Sequence, residues 1–358
     1  MKPTQQLHDL GQSLWLDNIT RTMLDDGTEQ RYIDELSITG QTSNPTIFDK
    51  AISAGDAYDE QIAELREKGL DGEELFFELA LADVTRAARM FAEIHQETDR
   101  MDGWVSLEVS PLLAYDTQAT IQQAADLHRR AEENNFIKIP GTPEGLPAIE
   151  ESIYAGVPIN VTLLMSTDQT MAAADAYMKG IERRIEDGLD PDVPSVLSLF
   201  VSRWDVAVHD QVPDEIKNTL GVAVGKATYA AWREMLESER WRGLADQGAR
   251  LQRLLFASTG TKDPEASDTL YIEAFAAPDT INTMPDKTLE AFADHGKVGD
   301  PLPADGGDAD EVFQAHRDQG IDTDALALKL QKDGAEAFSK SWRDLLDTIR
   351  SESERLAA

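Results

Sequence analysis

Short runs rich in apolar and β-branched residues recur along this chain, separated by segments of helical length, and that alternation limits its fold more than any other feature. The runs span Ser13 to Ile19, Ile38 to Asn44, Trp104 to Ser110, Phe136 to Pro140, Pro158 to Leu164, Val193 to Val201, Arg253 to Ser258 and Leu270 to Phe275. Between them, Tyr58 to Lys68, Glu73 to Glu97, Ile121 to Asn134, Thr167 to Glu186 and Gly225 to Glu237 carry apolar residues three and four positions apart, the spacing of an amphipathic helix. Strand, helix, strand repeated in this way predicts a parallel sheet, and about eight strands suit a closed (β/α)₈ TIM barrel better than an open sheet. A doubly wound fold is the alternative. It is weakened by the absence of a G-x-G-x-x-G turn after any early strand.

The 358 residues are read as one domain: a barrel over 1–300, a linker over 301–322 and a C-terminal helical segment over 323–358. Pro301 to Asp310 is rich in Pro, Gly and Asp, as linkers are. Thr323 to Leu356 then presents Ala335, Phe338, Trp342, Leu345, Leu346 and Ile349 on one helical face, which is expected to pack on the body near the barrel mouth. Gly221 to Ala227 resembles a phosphate loop only superficially. Its glycines are one residue too close, and Ala227 stands where a Ser or Thr is needed.

Lys138 lies in Asn135-Phe136-Ile137-Lys138-Ile139-Pro140, an apolar strand-like run that stops at a Pro-Gly turn. An ammonium enclosed there loses hydration, the condition under which a lysine becomes a Schiff-base nucleophile, although a lysine reaching out of an edge strand has the same local sequence. Other polar residues sit in or just after the proposed strands, where barrel enzymes build their sites. Asp17 stands among Leu14, Trp15, Leu16 and Ile19, where its proton affinity is expected to rise, unless it is a cap or an ion-pair partner. Glu108 lies between Leu107 and Val109 and needs a partner, for which Lys138 on the next strand is placed, as a catalytic or a structural pair. Asn44 opens a helix-start signal with Pro45, and its amide could equally meet a substrate hydroxyl. Asn160 and Thr162 share one strand face. Arg203 and Lys262, after the sixth and seventh runs, would make a small cationic patch suited to phosphate.

In order, Trp-Leu-Asp, Thr-Ser-Asn-Pro-Thr, Ser-Leu-Glu-Val-Ser, Ile-Lys-Ile-Pro, Ile-Asn-Val-Thr-Leu and Ser198-Leu199-Phe200-Val201-Ser202-Arg203 resemble the transaldolases of the pentose phosphate pathway. The resemblance runs from about Leu10 to about Phe275 and fades beyond, and Trp15-Leu16-Asp17-Asn18-Ile19 is similar to the bacterial branch that also occurs fused to glucose-6-phosphate isomerase. It implies a barrel of the class I aldolase type and a cofactor-free, metal-free mechanism. Lys138 would form the imine, Asp17 would take the C4 hydroxyl proton, and Glu108 and Thr162 would shuttle protons through a water. Asn44, Asn160 and Ser198 would hold substrate hydroxyls, with Thr46 and Phe200 also in the substrate site. Arg203, Ser258 and Lys262 would bind phosphate; many family members have a second arginine where this chain has Gly260-Thr261-Lys262. An aldolase that releases free dihydroxyacetone and a non-catalytic sugar-phosphate-binding barrel are the other readings of the same residues.

Composition narrows the partners. With 67 Asp and Glu against 33 Lys and Arg, the net charge of -34 opposes binding to nucleic acid or an anionic membrane. The chain has no Cys, so thiolate chemistry and disulfides are excluded, and its six His, His8, His95, His128, His209, His295 and His316, show no ligand spacing. An amino terminus without an apolar signal core, and no run of membrane-spanning length, lead to the expectation of a cytoplasmic protein. The acid excess reads as a surface adapted to high salt. Self-repulsion of such a surface is screened as the Debye length shrinks from about 10 Å at about 0.1 M to about 3 Å at about 1 M, so the thermal midpoint is expected to rise over that KCl range. An unchanged midpoint in scanning calorimetry would dismiss the salt reading.

Overall fold

A computed structural model describes residues 1–357. Eight parallel strands close into a barrel in sequence order: β1 (Ser13–Asp17), β2 (Ile38–Thr42), β3 (Trp104–Glu108), β4 (Asn135–Pro140), β5 (Ile159–Leu164), β6 (Ser195–Phe200), β7 (Arg253–Ala257) and β8 (Ile281–Met284). Each strand pairs with the next, and β8 closes on β1 through Ser13 to Leu16 against Ile281 to Met284. Alternation sorts the side chains. Leu14, Leu16, Val105, Leu107, Ile137, Ile139, Leu197, Leu199, Leu254 and Phe256, all buried, belong to the large apolar core beneath the surrounding helices. The intervening residues fill the barrel.

The barrel's lower interior is packed solid. Trp104 stacks on Phe136 with ring centroids 4.1 Å apart, and Trp15 lies 6.2 Å from Phe136. Buried Asp102 accepts hydrogen bonds from Ser13 Oγ and from Trp15 Nε1, the latter at 2.7 Å, while Arg253 donates to Ser13 Oγ at 2.6 Å. These polar groups satisfy one another at the bottom of the barrel, and the aromatic rings above them separate that network from the upper interior.

One expected strand is a helix. Leu270–Ala274 is helical, which puts Tyr271 and Phe275 four residues apart on one side, with stacked rings 6.2 Å apart. The true eighth strand, Ile281–Met284, is only four residues, the shortest of the eight, and too short to stand out as a run of its own. The expected helix over Glu73 to Glu97 is interrupted at Phe91 into Gly72–Met90 and Ala92–Glu97, and that over Gly225 to Glu237 starts earlier, at Leu220. Within the expected linker, Ala309–Asp318 forms a helix. No helix among the described residues is long and apolar enough to cross a membrane.

The C-terminal helix, Thr323–Leu356, begins where the Asp322 side chain accepts from the backbone N–H groups of Asp324 and Ala325. Trp342 packs edge-on against Phe76 at 4.9 Å between centroids and lies 5.6 Å from Phe77, so the helix is anchored beside the barrel. One turn earlier, Phe338 reaches the barrel mouth, 6.3 Å from Phe200.

Gly40 lets the floor close. A Cβ there would lie 2.6 Å from Trp15 Nε1 and 2.7 Å from the Trp104 carbonyl oxygen, well inside contact distance. Gly40→Ala is therefore expected to destabilise the fold by at least about 1–3 kcal/mol in chemical denaturation. Wild-type stability would show that the tryptophans can shift without cost.

Candidate active site

The upper interior of the barrel is polar and opens at the C-terminal ends of the strands into a cavity of about 140 Å³. Asp17, Asn44, Lys138, Thr162, Ser198, Phe200, Arg203, Ser258 and Lys262 line it, together with Thr42, Thr283 and Phe338. Its centre is Lys138, which is only 5 % exposed. The ammonium donates to the Ser43 carbonyl oxygen at 3.0 Å and lies 3.5 Å from Glu108 Oε2. Glu108 sits directly beside Lys138 because β3 and β4 pair in that register. At 3.5 Å the contact is an ion pair more than a well-formed hydrogen bond, and neither Glu108 oxygen has a hydrogen-bond partner among the described residues. Burial raises the proton affinity of Glu108, against the opposing charge of Lys138.

Asp17 ends β1 within the same electrostatic field. Burial raises its proton affinity, while Lys138 and a hydrogen bond from Thr42 pull the other way. Thr42 Oγ1 is 2.9 Å from Asp17 Oδ1 and 2.8 Å from Thr283 Oγ1, so one hydroxyl links the carboxylate to β8. With Asp17 ionised, Thr42 donates to it and accepts from Thr283. One ammonium thus faces two carboxyl groups that water hydrates poorly, an arrangement able to move protons at neutral pH.

Asn160 pairs in register with Lys138 but does not line the cavity. Its amide donates to Ser106 Oγ at 3.1 Å, and its carbonyl oxygen accepts from Ser198 Oγ at 2.6 Å, so it orients Ser198 in the cavity wall. Thr162 Oγ1 is buried without a hydrogen-bond partner among the described residues. Asn44 caps the helix Pro45–Ser53 through Oδ1 and also lines the cavity, so its two readings are compatible. Thr46 stands apart, its hydroxyl donating at 2.9 Å to Ser341 of the C-terminal helix.

At the outer rim Arg203 lies over the rings of Phe200 and Phe338, 5.3 and 5.7 Å from their centroids. Neither it nor Lys262 forms an ion pair with another described residue, although the chain carries a charge of -34. Ser258, between them, has a left-handed φ of +57° and shares a 2.9 Å hydrogen bond with Ser202. Six lining residues were not expected from the sequence: Thr42, Ala257, Gly260, Thr283, Pro285 and Phe338. Thr42 shares the inward parity of Gly40 and could have been found; Thr283 lies in the strand that was misplaced; Phe338 reaches the mouth only through tertiary packing.

A family model described as transaldolase/fructose-6-phosphate aldolase matches residues 14–349. The chain belongs to this family. It is 41 % identical to a transaldolase of Mycobacterium ulcerans, over 97 % of this chain and 96 % of that protein. A transaldolase of Renibacterium salmoninarum is 42 % identical over the same shares, and one of Saccharopolyspora erythraea 39 % over 98 % of each. As a member of the transaldolase family it is an enzyme. The likeness does not fade at Phe275: the matched region takes in β8 and most of the C-terminal helix.

Behind Asp17 a further carboxyl group is buried. Gln41 Nε2 donates to the Asn18 carbonyl oxygen at 3.0 Å and to Glu29 Oε2 at 2.5 Å, while Glu29 Oε1 has no hydrogen-bond partner among the described residues. Burial, with the nearby negative charge of Asp286, pushes the Glu29 carboxyl up to about 8. In the unfolded chain it ionises in the ordinary carboxylate range. The folded state therefore binds the extra proton in between, and stability from this group falls as pH rises from that range through about 8. Glu29→Gln is expected to remove this fall and to be more stable than wild type at about pH 9. Denaturation profiles that match between wild type and variant from about pH 5 to 9 would contradict the assignment.

Proposed function

We propose that the cavity carries out the transaldolase reaction: transfer of a dihydroxyacetone unit from a ketose phosphate, sedoheptulose 7-phosphate or fructose 6-phosphate, to an aldose phosphate, glyceraldehyde 3-phosphate or erythrose 4-phosphate. The observation that carries it is the buried Lys138 amine set beside Glu108, in a cavity shared with Asp17. Family membership and the relatives' names support the same reading.

Lys138, once it has lost its proton, attacks the C2 ketone to give a carbinolamine. Glu108 is the nearest group able to take that proton, and its raised proton affinity suits the task. Glu108 and Thr162, acting through a water, then protonate the departing hydroxyl, and loss of water leaves the imine. Asp17 takes the C4 hydroxyl proton as the C3–C4 bond breaks. The electron pair of that bond passes into the imine as an enamine, and an aldose leaves. Burial of Asp17 favours its holding that proton until the acceptor aldehyde arrives. The enamine carbon attacks the aldehyde, Asp17 returns its proton to the new alkoxide, and hydrolysis of the imine frees Lys138.

Asn44 and Ser198, the latter oriented by Asn160, hold the hydroxyls of the retained carbons, and Phe200 closes the wall. Arg203, Ser258 and Lys262 take the phosphate. Two cations that form no ion pair among the described residues, in so acidic a protein, support that assignment, since steering an anion needs a local positive field. Thr46, bonded to Ser341, contributes by fixing the helix that follows Asn44. Substrates of this kind are metabolites of the cell interior, and the proposal includes a cytoplasmic location.

Borohydride with fructose 6-phosphate is expected to leave a reduced three-carbon adduct on Lys138, absent in Lys138→Ala, as read by peptide mass mapping. Asp17→Asn is expected to lower kcat by about 10²–10⁴-fold. An adduct elsewhere, or none, would remove the mechanism. Free dihydroxyacetone accumulating without an acceptor would instead make the enzyme an aldolase.

A further inference from the structure

β5 does not run regularly to its end. Its pairing with β6 slips between Val161 and Leu164, and Leu163 there takes a left-handed φ of +59°, an uncommon conformation for a residue with a side chain. Thr162, with its unpartnered hydroxyl, sits within this irregularity. A backbone held in such a conformation persists only where its surroundings fix it.

The fixing group comes from about 170 positions later in the chain. Gln331, on the C-terminal helix and only 7 % exposed, donates through Nε2 to the Leu163 carbonyl oxygen at 3.1 Å and to the Gly141 carbonyl oxygen at 2.9 Å. Gly141 follows the last residue of β4, and its own N–H donates to the Thr162 carbonyl oxygen at 2.7 Å. One amide therefore ties together the ends of the two strands that carry Lys138 and Thr162. One turn on, Gly334 allows the close approach this needs: a Cβ at that position would stand 3.0 Å from Leu163 Cδ2 and 3.1 Å from Arg203 Nη1.

We propose that Gln331 is a positioning residue, which holds the Thr162 hydroxyl in place relative to Lys138 and thereby sets the rate of imine formation. The inference rests on Lys138 being the imine-forming lysine. Gln331 touches neither the cavity nor the reacting atoms; it acts through the strand ends it clamps. Small errors of placement between reacting groups are costly in rate, which is why a clamp outside the site can control it.

The experiment compares the full-length wild-type enzyme with Gln331→Met, which keeps the bulk and removes both donors, and Gln331→Asn, whose amide is one methylene short of spanning two carbonyls. The readout is the rate of the borohydride-trapped adduct on Lys138 at saturating fructose 6-phosphate, alongside KM, each measured at the same interval below that protein's own Tm. The expected result is an adduct rate about tenfold lower in Gln331→Met and lowered by a smaller factor in Gln331→Asn, with KM within about twofold of wild type. A wild-type adduct rate in either folded variant would overturn the proposal, as would a change confined to Tm or to KM. Should Gln331→Met not fold, Gln331→Asn decides by the same criterion. Absence of a Lys138 adduct in the wild-type enzyme would overturn the Schiff-base reading itself, and the clamp with it, whereas a wild-type adduct with unchanged variants removes the clamp alone.

Discussion

The ion pair of Lys138 and Glu108, held inside the barrel with Asp17 close enough to feel the same ammonium, is the constraint around which the remainder is organised. Two charges removed from water lose hydration that their mutual attraction repays only in part, so a pair of this kind contributes little to stability and can cost it. A closed barrel tolerates it because all its strands are hydrogen-bonded to neighbours and its outward faces bury a continuous apolar layer. The stacked rings of Trp104 and Phe136 and the nearby Trp15 then separate the charged layer from the second polar network at the bottom. Stability resides in the lower interior and outer layer, and the upper interior is left to chemistry.

The same low polarity acts on both carboxyl groups above the floor, against unequal opposition. It raises the proton affinity of both Asp17 and Glu108, but Lys138 and Thr42 oppose the rise at Asp17, whereas Glu108 has only Lys138. Two carboxyl groups in neighbouring but unequal surroundings can take different tasks in one proton inventory. At the rim the balance is reversed. Arg203 and Lys262 form no ion pair among the described residues in a chain where acids outnumber bases 67 to 33, and Arg203 lies over the rings of Phe200 and Phe338.

The C-terminal helix joins these regions. Trp342 anchors it on Phe76 and Phe77, Phe338 brings an apolar wall to the cavity, and Gln331 closes hydrogen bonds at the ends of β4 and β5. In most barrels the catalytic face is built from loops after the strands. Here a long helix from the end of the chain completes it.

By itself the sequence determined the barrel and which polar residues its strands carry. Alternation along a strand is local, so Lys138, Glu108, Asp17 and Thr162 could be assigned to strands from their own neighbours, whereas the register that sets Glu108 beside Lys138 came from the pairing of β3 with β4. Seven of the eight strands were legible as runs rich in apolar and β-branched residues; β8, the shortest at four residues, was not, and Thr283 was lost with it. Tertiary structure alone decided the rest. That Phe338 meets Phe200, that Thr46 is bonded to Ser341, and that Gln331 reaches Gly141 and Leu163 depend on how one helix lies across distant segments. A helical period fixes which residues share a face, but the surface that face meets is set by packing among all the elements at once.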